Sequence, residues 1–177
     1  MQNPSPEFII GPAQSTDLEA IDRIEREAFN TPWSRDLLRG AVVNGKYRAR
    51  ALRSPEGHLI GFYIAHVMGR QSNLDNLAVD AWARGRGYGS HLIKDWIQQA
   101  RLDGGEMLTL QVNTANKGAQ RLYERFRFQT AKLLVSYYPN GDDAYQMVLN
   151  LKPSPDREGR EGILRRGRNR GNLSLVT

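Results

Sequence analysis

A glycine-rich segment in the middle of the chain has the composition of an anion-binding turn. The sequence RGRGYGS, residues 84–90, follows an apolar run and leads into a stretch with helical spacing. Glycine lets the backbone approach a ligand closely, and the free N–H groups at a helix N-terminus bind anions. We therefore predict a pyrophosphate site here, with charge added by Arg84 and Arg86. A glycine turn that only begins a helix is the alternative, because a short glycine pattern is not specific.

The elements around this turn must position it. Periodic apolar residues predict two N-terminal helices, a hairpin from Tyr47 to Val67, and a strand over Leu74–Val79 that leads into the turn. A helix over Gly87–Leu102, a strand over Met107–Val112 and a helix over Asn116–Arg125 follow. The order βααβββαβαββ predicts an α/β fold with a mixed, partly parallel central sheet flanked by helices.

Both ends of this region carry local signals. Phe8–Ile10 predicts the first strand, and Ser34 can cap the second helix. Phe128–Tyr137 and Ala144–Leu151 predict the two closing strands. These elements complete one domain over residues 1–151.

The amino-acid composition excludes several classes of protein and of active site. A chain of 177 residues needs only one hydrophobic core. The lack of cysteine excludes disulfides, thiolate metal sites and a cysteine nucleophile, and the three histidines have no ligand-like spacing, so we predict no metal. No apolar run of signal or membrane length is present, which predicts a soluble, cytoplasmic protein without membrane contact.

Residues 152–177 differ in composition from the rest. They hold seven basic and three acidic residues, and so contribute four of the six net positive charges. Because Pro, Gly and Arg dominate and little can be buried, we predict a disordered basic tail that contacts the ribosome or another polyanion. The folded domain is only mildly basic, and its charge does not indicate nucleic-acid binding.

The glycine turn is part of a longer match. Members of the GNAT superfamily of acetyltransferases carry an Arg/Gln-x-x-Gly-x-Gly/Ala turn, which this sequence resembles at Arg84, Gly87 and Gly89. The resemblance covers about residues 7–150 in element order, and it is most specific from Asn76 to Phe128. It implies an acetyl-CoA-dependent N-acetyltransferase with a GNAT-like sheet.

A second family motif lies downstream and consists of an Asn, an Ala-x-x-Leu-Tyr and a Gly-Phe. The sequence resembles it with Asn116, Ala119 and Leu122-Tyr123, whereas Arg127 stands in place of the glycine. We expect this replacement to affect a turn and not the chemistry.

Within the superfamily, the chain is similar to the RimI type, the ribosomal-protein alanine N-acetyltransferases that modify protein N-termini. The similarity rests on Pro32-Trp33-Ser34, on the match from Asn76 to Gly89, and on Tyr137-Tyr138-Pro139 with the residues that follow. It implies that Trp33, Tyr137 and Tyr138 contact the first residues of an acceptor peptide. Aromatic packing on the sheet within a hairpin is the alternative for the tyrosine pair.

The resemblance also implies the cofactor site. The backbone of Leu77, Ala78 and Val79 is expected to pair with the pantetheine arm, and Asn116 to bond the cofactor. Tyr123 is expected to bind near the sulfur and to protonate the departing thiolate as general acid. A tyrosine buried against the sheet with its hydroxyl satisfied is the alternative. The residues expected to hold the pyrophosphate are Arg84, Gly85, Arg86, Gly87, Tyr88, Gly89 and Ser90.

Gln111 is the main departure from the RimI type, which has a glutamate at this position as general base toward the amine. An amide cannot accept that proton, so another group, an ordered water or an amine that arrives neutral must serve. A terminal α-amine has a pKa of about 7.7–8.0 and a lysine amine about 10.4. The glutamine therefore favours α-amines as acceptors.

Asp75 is the preferred substitute base. It lies on the strand before the glycine turn, and alternation predicts that it shares a face with Leu77 and Val79. A strand-edge carboxylate facing water is the alternative. His66 and Glu25 are weaker options, because each has an ordinary surface or core explanation.

We therefore predict direct transfer of acetyl from acetyl-CoA to a protein N-terminal α-amine, with ribosomal proteins among the candidate acceptors. One alternative is a small polar amine as acceptor. Another is an acyl-CoA-binding or ribosome-associated module with weakened catalysis, against which the presence of both Asn116 and Tyr123 argues. The absence of cysteine excludes a thioester acetyl-enzyme.

Overall fold

The computed structural model describes residues 8–151, so the predicted basic tail, 152–177, lies outside the described residues. The described part forms one seven-stranded sheet with α-helices on both faces. Its elements are β1 (Ile9–Pro12), α1 (Leu18–Ala28), α2 (Arg35–Val43), β2 (Tyr47–Arg53), β3 (Leu59–Met68), β4 (Gln71–Val79), α3 (Tyr88–Leu102), β5 (Met107–Asn113), α4 (Lys117–Arg125), β6 (Gln129–Leu134) and β7 (Ala144–Asn150).

The predicted element order and fold class are confirmed, whereas several strand boundaries differ by one to three residues. The largest differences are at β4, which begins at Gln71 instead of Leu74, and at β6. Phe8 lies before β1, with its ring packed against those of Tyr88 and His91 at centroid distances of 6.0 and 4.4 Å. β6 ends at Leu134, before the predicted Tyr137, because Ser136 has a φ of 51° and turns the chain out of the extended conformation.

The sheet order is β1-β2-β3-β4-β5-β7-β6, in which β4 and β5 form the parallel pair and the other neighbours are antiparallel. The parallel pairing joins only Gln71–Leu74 to Met107–Leu110. Beyond it, β4 stays paired with β3 up to Val79, and β5 stays paired with β7 up to Asn113. The two strands therefore separate, and the sheet opens between their C-terminal ends.

Each face of the sheet carries its own core, which holds the diverging strands in place. On one face, Trp96 of α3 is fully buried and stacks on Phe128 at 5.6 Å. On the other face, Ile21 and Ile24 of α1 pack with Phe62 of β3. Burial of side chains of this size stabilises a fold by about 1.5–3 kcal/mol each.

A β-bulge in β4 changes the face on which Asp75 lies. Ile64 of β3 pairs with Asn76 and Ala65 pairs with Leu74, so Asp75 is an extra residue without a β3 partner in the register. After the bulge, Leu77 and Val79 pack against the α3 core, whereas Asp75 binds His66 on the opposite face. The prediction that Asp75 shares a face with Leu77 and Val79 is therefore wrong, because one inserted residue reverses strand alternation.

Candidate active site

A cleft of about 450 Å³ lies where β4 and β5 separate. It brings together side chains that are far apart in the sequence and that the sequence analysis had singled out. Those that line it are Asp75 and Leu77 of β4, Gln111 of β5, Asn116 and Tyr123 around α4, and Tyr138 of the β6–β7 connection. The opening of the sheet thus becomes a site with a phenol, a carboxylate and amides around one volume.

The N-terminus of α3 has the backbone conformation that the glycine turn predicts. Gly85 and Gly87 have φ values of 76° and 88°, which glycine adopts without strain. Gly87 is the N-cap residue, and a Cβ added there meets no heavy atom within 4 Å. Because the first N–H groups of a helix have no partner within it, this end of α3 can accept an anion.

Gly89 serves a different purpose from the other two glycines. Its backbone is ordinary helix, and an added Cβ would lie 3.3 Å from Cδ2 of Leu122. A side chain here would press on α4. The residue therefore permits the close approach of α3 and α4, and the prediction that it lets the backbone approach a ligand gains no support.

The other residues of the turn offer charge or backbone groups. Arg84 donates from Nε to the carbonyl oxygen of Val79 at 2.9 Å, and Arg86 lies with its guanidinium 5.9 Å from the Trp82 ring centroid. Tyr88 is buried in the α3 core, so only its backbone can meet a ligand. The amide N–H of Ser90 already donates to the carbonyl oxygen of Gly87 at 2.9 Å.

Tyr123 has the environment of a proton donor. Its side chain is buried, and its ring packs edge-on against Phe128 at 5.9 Å. Within residues 8–151, its hydroxyl makes no hydrogen bond, whereas the buried Tyr63 hydroxyl donates to Asp95 at 2.9 Å. Burial raises the pKa of Tyr123, with a smaller contribution from Tyr138. The alternative was a tyrosine whose hydroxyl is satisfied by the protein, and no side chain or backbone group within residues 8–151 does so.

Asn116 begins α4 and faces the cleft. Its Oδ1 accepts a hydrogen bond from the Ala119 N–H at 3.0 Å, which makes it the N-cap residue. The side-chain NH₂ group stays available to a ligand. One residue can thus cap the helix and bond the cofactor, as the resemblance implies.

Asp75 forms the centre of a polar cluster in the lining of the cleft. Its Oδ2 lies 2.7 Å from His66 Nδ1, and its Oδ1 accepts from Asn73 Nδ2 at 2.9 Å. Burial and the negative charge of Asp75 raise the pKa of Tyr137, which places that phenol nearby. The alternative of a carboxylate that only faces water does not describe this residue.

Gln111 extends the cluster to β5. Its Nε2 donates to Asn73 Oδ1 at 3.3 Å, and the Thr109 hydroxyl donates to the same oxygen at 2.8 Å. Sequence reasoning missed Asn73. A polar residue in a buried strand, two positions before a candidate base, was the available signal.

Glu25 and Trp33 lie beside the cleft and do not line it. The Glu25 carboxylate is buried, and its Oε1 accepts from the Trp33 N–H at 2.9 Å and from Asn76 Nδ2 at 2.8 Å. Burial raises the pKa of Glu25. Trp33 packs edge-on against Tyr47 at 5.9 Å. Together they tie the loop after α1, whose residues 29–31 do line the cleft, to β4.

The aromatic pair of the β6–β7 connection divides between the cleft and its rim. Tyr138 lines the cleft, while Tyr137 is about half exposed and packs edge-on against Tyr138 at 5.1 Å. Burial raises the pKa of Tyr138. Tyr138 therefore lines the same cleft as Asp75 and Tyr123, with Tyr137 packed on its outer side.

Two kinds of feature are absent from residues 8–151. No group of three or more His, Cys, Asp or Glu side chains in that range is arranged to hold a metal ion. No helix in it is long and apolar enough to cross a membrane.

Known proteins are similar to this chain in sequence and in fold. The acetyltransferase (GNAT) family profile matches residues 18–128. An uncharacterized N-acetyltransferase of Methanocaldococcus jannaschii is 32% identical over 156 residues, which cover 86% of this chain and 96% of that protein. The [ribosomal protein bS18]-alanine N-acetyltransferase of Escherichia coli K12 is 29% identical over 144 residues, covering 81% and 96%. The crystal structure of the ribosomal-protein-S18-alanine N-acetyltransferase from Escherichia coli matches with a TM-score of 0.77 and 29% identity, over 85% of this chain and 97% of that one.

Proposed function

Because the chain belongs to the acetyltransferase (GNAT) family, and so is an acetyl-CoA-dependent N-acetyltransferase, we propose that its acceptor is the N-terminal α-amine of a protein. The observation that carries the proposal is the cleft between β4 and β5. There Tyr123 and Asp75, a candidate acid and a candidate base, line one volume together with Tyr138, which packs against Tyr137.

The chain has the surfaces that acetyl-CoA requires. The edge of β4 beyond Leu74 has no strand partner on the β5 side, so those backbone groups of Leu77, Ala78 and Val79 that do not pair with β3 can meet the pantetheine arm. The Val79 carbonyl oxygen already accepts from Arg84 Nε. The N-terminus of α3, with Gly85 and Gly87 in the left-handed conformation, suits the pyrophosphate. Leu77 lines the cleft, whereas the glycine turn lies outside its lining, so we expect acetyl-CoA to extend from the turn along β4 into the cleft.

The reaction needs two proton transfers, and each is assigned to one residue that lines the cleft. As the amine nitrogen forms a bond to the acetyl carbon, Asp75 accepts the proton that the nitrogen loses. As the bond from that carbon to sulfur breaks, the Tyr123 hydroxyl gives its proton to the thiolate. The raised pKa of Tyr123 keeps this proton in place until charge builds on sulfur. Without a cysteine in the chain, acetyl passes directly to the amine.

The preference for an α-amine follows from the pKa of the acceptor amine and from the tyrosines at the rim of the cleft. An α-amine with a pKa of about 7.7–8.0 has a useful neutral fraction at physiological pH, and a lysine amine at about 10.4 does not. Tyr137 and Tyr138 offer ring faces and hydroxyls to the first residues of an extended peptide. The relatives named for ribosomal protein bS18 and its alanine support an N-terminal acceptor of this kind. A ribosome contact through residues 152–177 is a proposal from their charge alone.

The test is a mass-spectrometric survey of protein N-termini in cells with and without this protein. The proposal expects a small set of N-termini that lose their acetyl group when the protein is absent and regain it when the wild-type chain is restored. Restoring the Tyr123→Phe chain at equal abundance should leave them unmodified. An unchanged set of N-termini, with a change in acetylated small amines instead, would contradict the proposed acceptor.

A further inference from the structure

A continuous run of hydrogen bonds crosses from β4 to β5 on the face of the sheet that carries Asp75. Asn73 Nδ2 donates to Asp75 Oδ1 at 2.9 Å, and Asn73 Oδ1 accepts from Gln111 Nε2 at 3.3 Å. The Thr109 hydroxyl donates to Asn73 Oδ1 at 2.8 Å and accepts from Gln71 Nε2 at 3.1 Å. Asn73 is buried, so water does not replace these bonds without cost.

The direction of every bond in this run is set by Asp75. A carboxylate only accepts hydrogen bonds, so Asn73 must turn its NH₂ group toward Asp75 and its oxygen toward β5. That oxygen accepts from the Thr109 hydroxyl and from the NH₂ group of Gln111, so a second acceptor at position 111 would be unfavourable. The side-chain oxygen of Gln111 is then left for the cleft, which Gln111 lines.

We propose that Asn73 links Asp75 to Gln111 so that only one of the two positions can hold a carboxylate, and that Gln111 consequently presents its carbonyl oxygen to the acceptor amine. The assignment of the amine as the bound group rests on the proposed function, whereas the link itself does not. Asn73 is then a positioning residue, Gln111 binds the amine N–H, and Asp75 takes the proton. His66, with Nδ1 2.7 Å from Asp75 Oδ2, fixes the carboxylate.

The link makes the effects of two substitutions depend on each other. Gln111→Glu alone sets a carboxylate against the Asn73 oxygen, and Asn73 cannot turn because its oxygen would then meet Asp75. Asp75→Asn alone removes the base. In the double variant Asp75→Asn/Gln111→Glu, Asn73 can turn over, donate to position 111 and accept from position 75, and it gives up its 3.3 Å hydrogen bond to the Leu74 carbonyl oxygen. The run of bonds is restored in the opposite direction, with its carboxylate on β5.

The experiment compares the wild-type full chain with both single variants and the double variant. Urea unfolding measures stability, and peptide acetylation measures kcat/KM. Gln111→Glu should lower the folding equilibrium constant by about tenfold, as expected when a buried hydrogen bond is lost, whereas Asp75→Asn should lower it less because its amide oxygen can still accept from Asn73. The double variant should be at least about fivefold more stable than the product of the single effects predicts. Its kcat/KM should exceed that of both single variants. Gln129→Glu, at an exposed position of β6, is the matched control and should change neither quantity by more than about twofold.

The outcomes separate the link from the enzyme's function. Coupling in stability together with rescue of kcat/KM supports the whole proposal. Additive stability effects, or a Gln111→Glu chain that is as stable and active as the wild type, overturn the link and leave the N-terminal acceptor standing. Coupling in stability without acetylation of any peptide by the wild type supports the link and contradicts the acceptor.

Discussion

Replacing Gly87 with alanine, beside a control glycine with nearly the same φ, distinguishes two roles of this residue. One role is to adopt a positive φ, and the other is to leave space for a ligand at the start of α3. Gly87 has a φ of 88°, and Gly57 in the β2–β3 turn has a φ of 91°; at both, an added Cβ meets no heavy atom within 4 Å. Alanine in this conformation costs about 1–2 kcal/mol, offset by about 0.4–1 kcal/mol from the stiffer unfolded chain. Both variants should therefore lose about 1 kcal/mol of unfolding free energy.

The two variants should differ in their affinity for acetyl-CoA. At Gly87 the new methyl group enters the open space at the first turn of α3, where the pyrophosphate is expected. Losing one hydrogen bond to a charged group costs about 1.5–3 kcal/mol, which raises Kd by roughly 10- to 100-fold. Gly57→Ala leaves that region untouched and should keep the wild-type Kd.

Isothermal calorimetry with acetyl-CoA, alongside urea unfolding of both variants, provides the assay. Equal stability losses with a Kd increase confined to Gly87→Ala support the site. A Gly87→Ala chain that is folded and binds acetyl-CoA as tightly as Gly57→Ala would refute the reasoning, because the anion would then be held elsewhere.

Three other substitutions test further parts of the account. Tyr123→Phe should lower kcat by about 100-fold or more with acetyl-CoA affinity nearly unchanged, since general acids contribute about 10²–10⁴-fold; parallel loss of affinity would make the residue structural. Burial raises the pKa of Glu25, so the folded protein holds this proton more tightly than the unfolded chain does, and stability should fall as pH rises above about 4.5. Glu25→Gln should flatten that part of the urea-unfolding profile, and an unchanged slope would contradict it. Arg127, at a φ of 68°, ends α4 where the family has glycine, so Arg127→Gly should raise the unfolding free energy by about 0.5–1 kcal/mol, measured by thermal unfolding; a loss would show that the Arg side chain contributes more than the strain.

Structural features that depend only on residues close together in the sequence could be predicted. The Ser34 hydroxyl accepts from the Leu37 N–H at 3.3 Å, as a cap should. Gly87 and Arg127 both have the positive φ that their places in the motifs require. Each of these conformations is set within one turn of chain, which is why a local pattern indicates it.

Contacts between strands could not be predicted in the same way. The bulge at Asp75 depends on the register of β4 against β3, which alternation alone does not determine. The hydrogen bonds of Asn73 join residues from β4 and β5, and they exist because α3 returns the chain parallel to β4. The candidate base was identified, whereas its partners and its face of the sheet needed the fold.

The most direct measurement of the central claim uses one peptide with two amines. A peptide that begins with alanine and carries a single internal lysine is incubated with the purified full chain and acetyl-CoA near pH 7.5, and fragment mass spectra locate the acetyl group. The account predicts modification of the α-amine in large excess over the lysine, and no modification by Tyr123→Phe on the same timescale. Acetylation mainly at the lysine would contradict it.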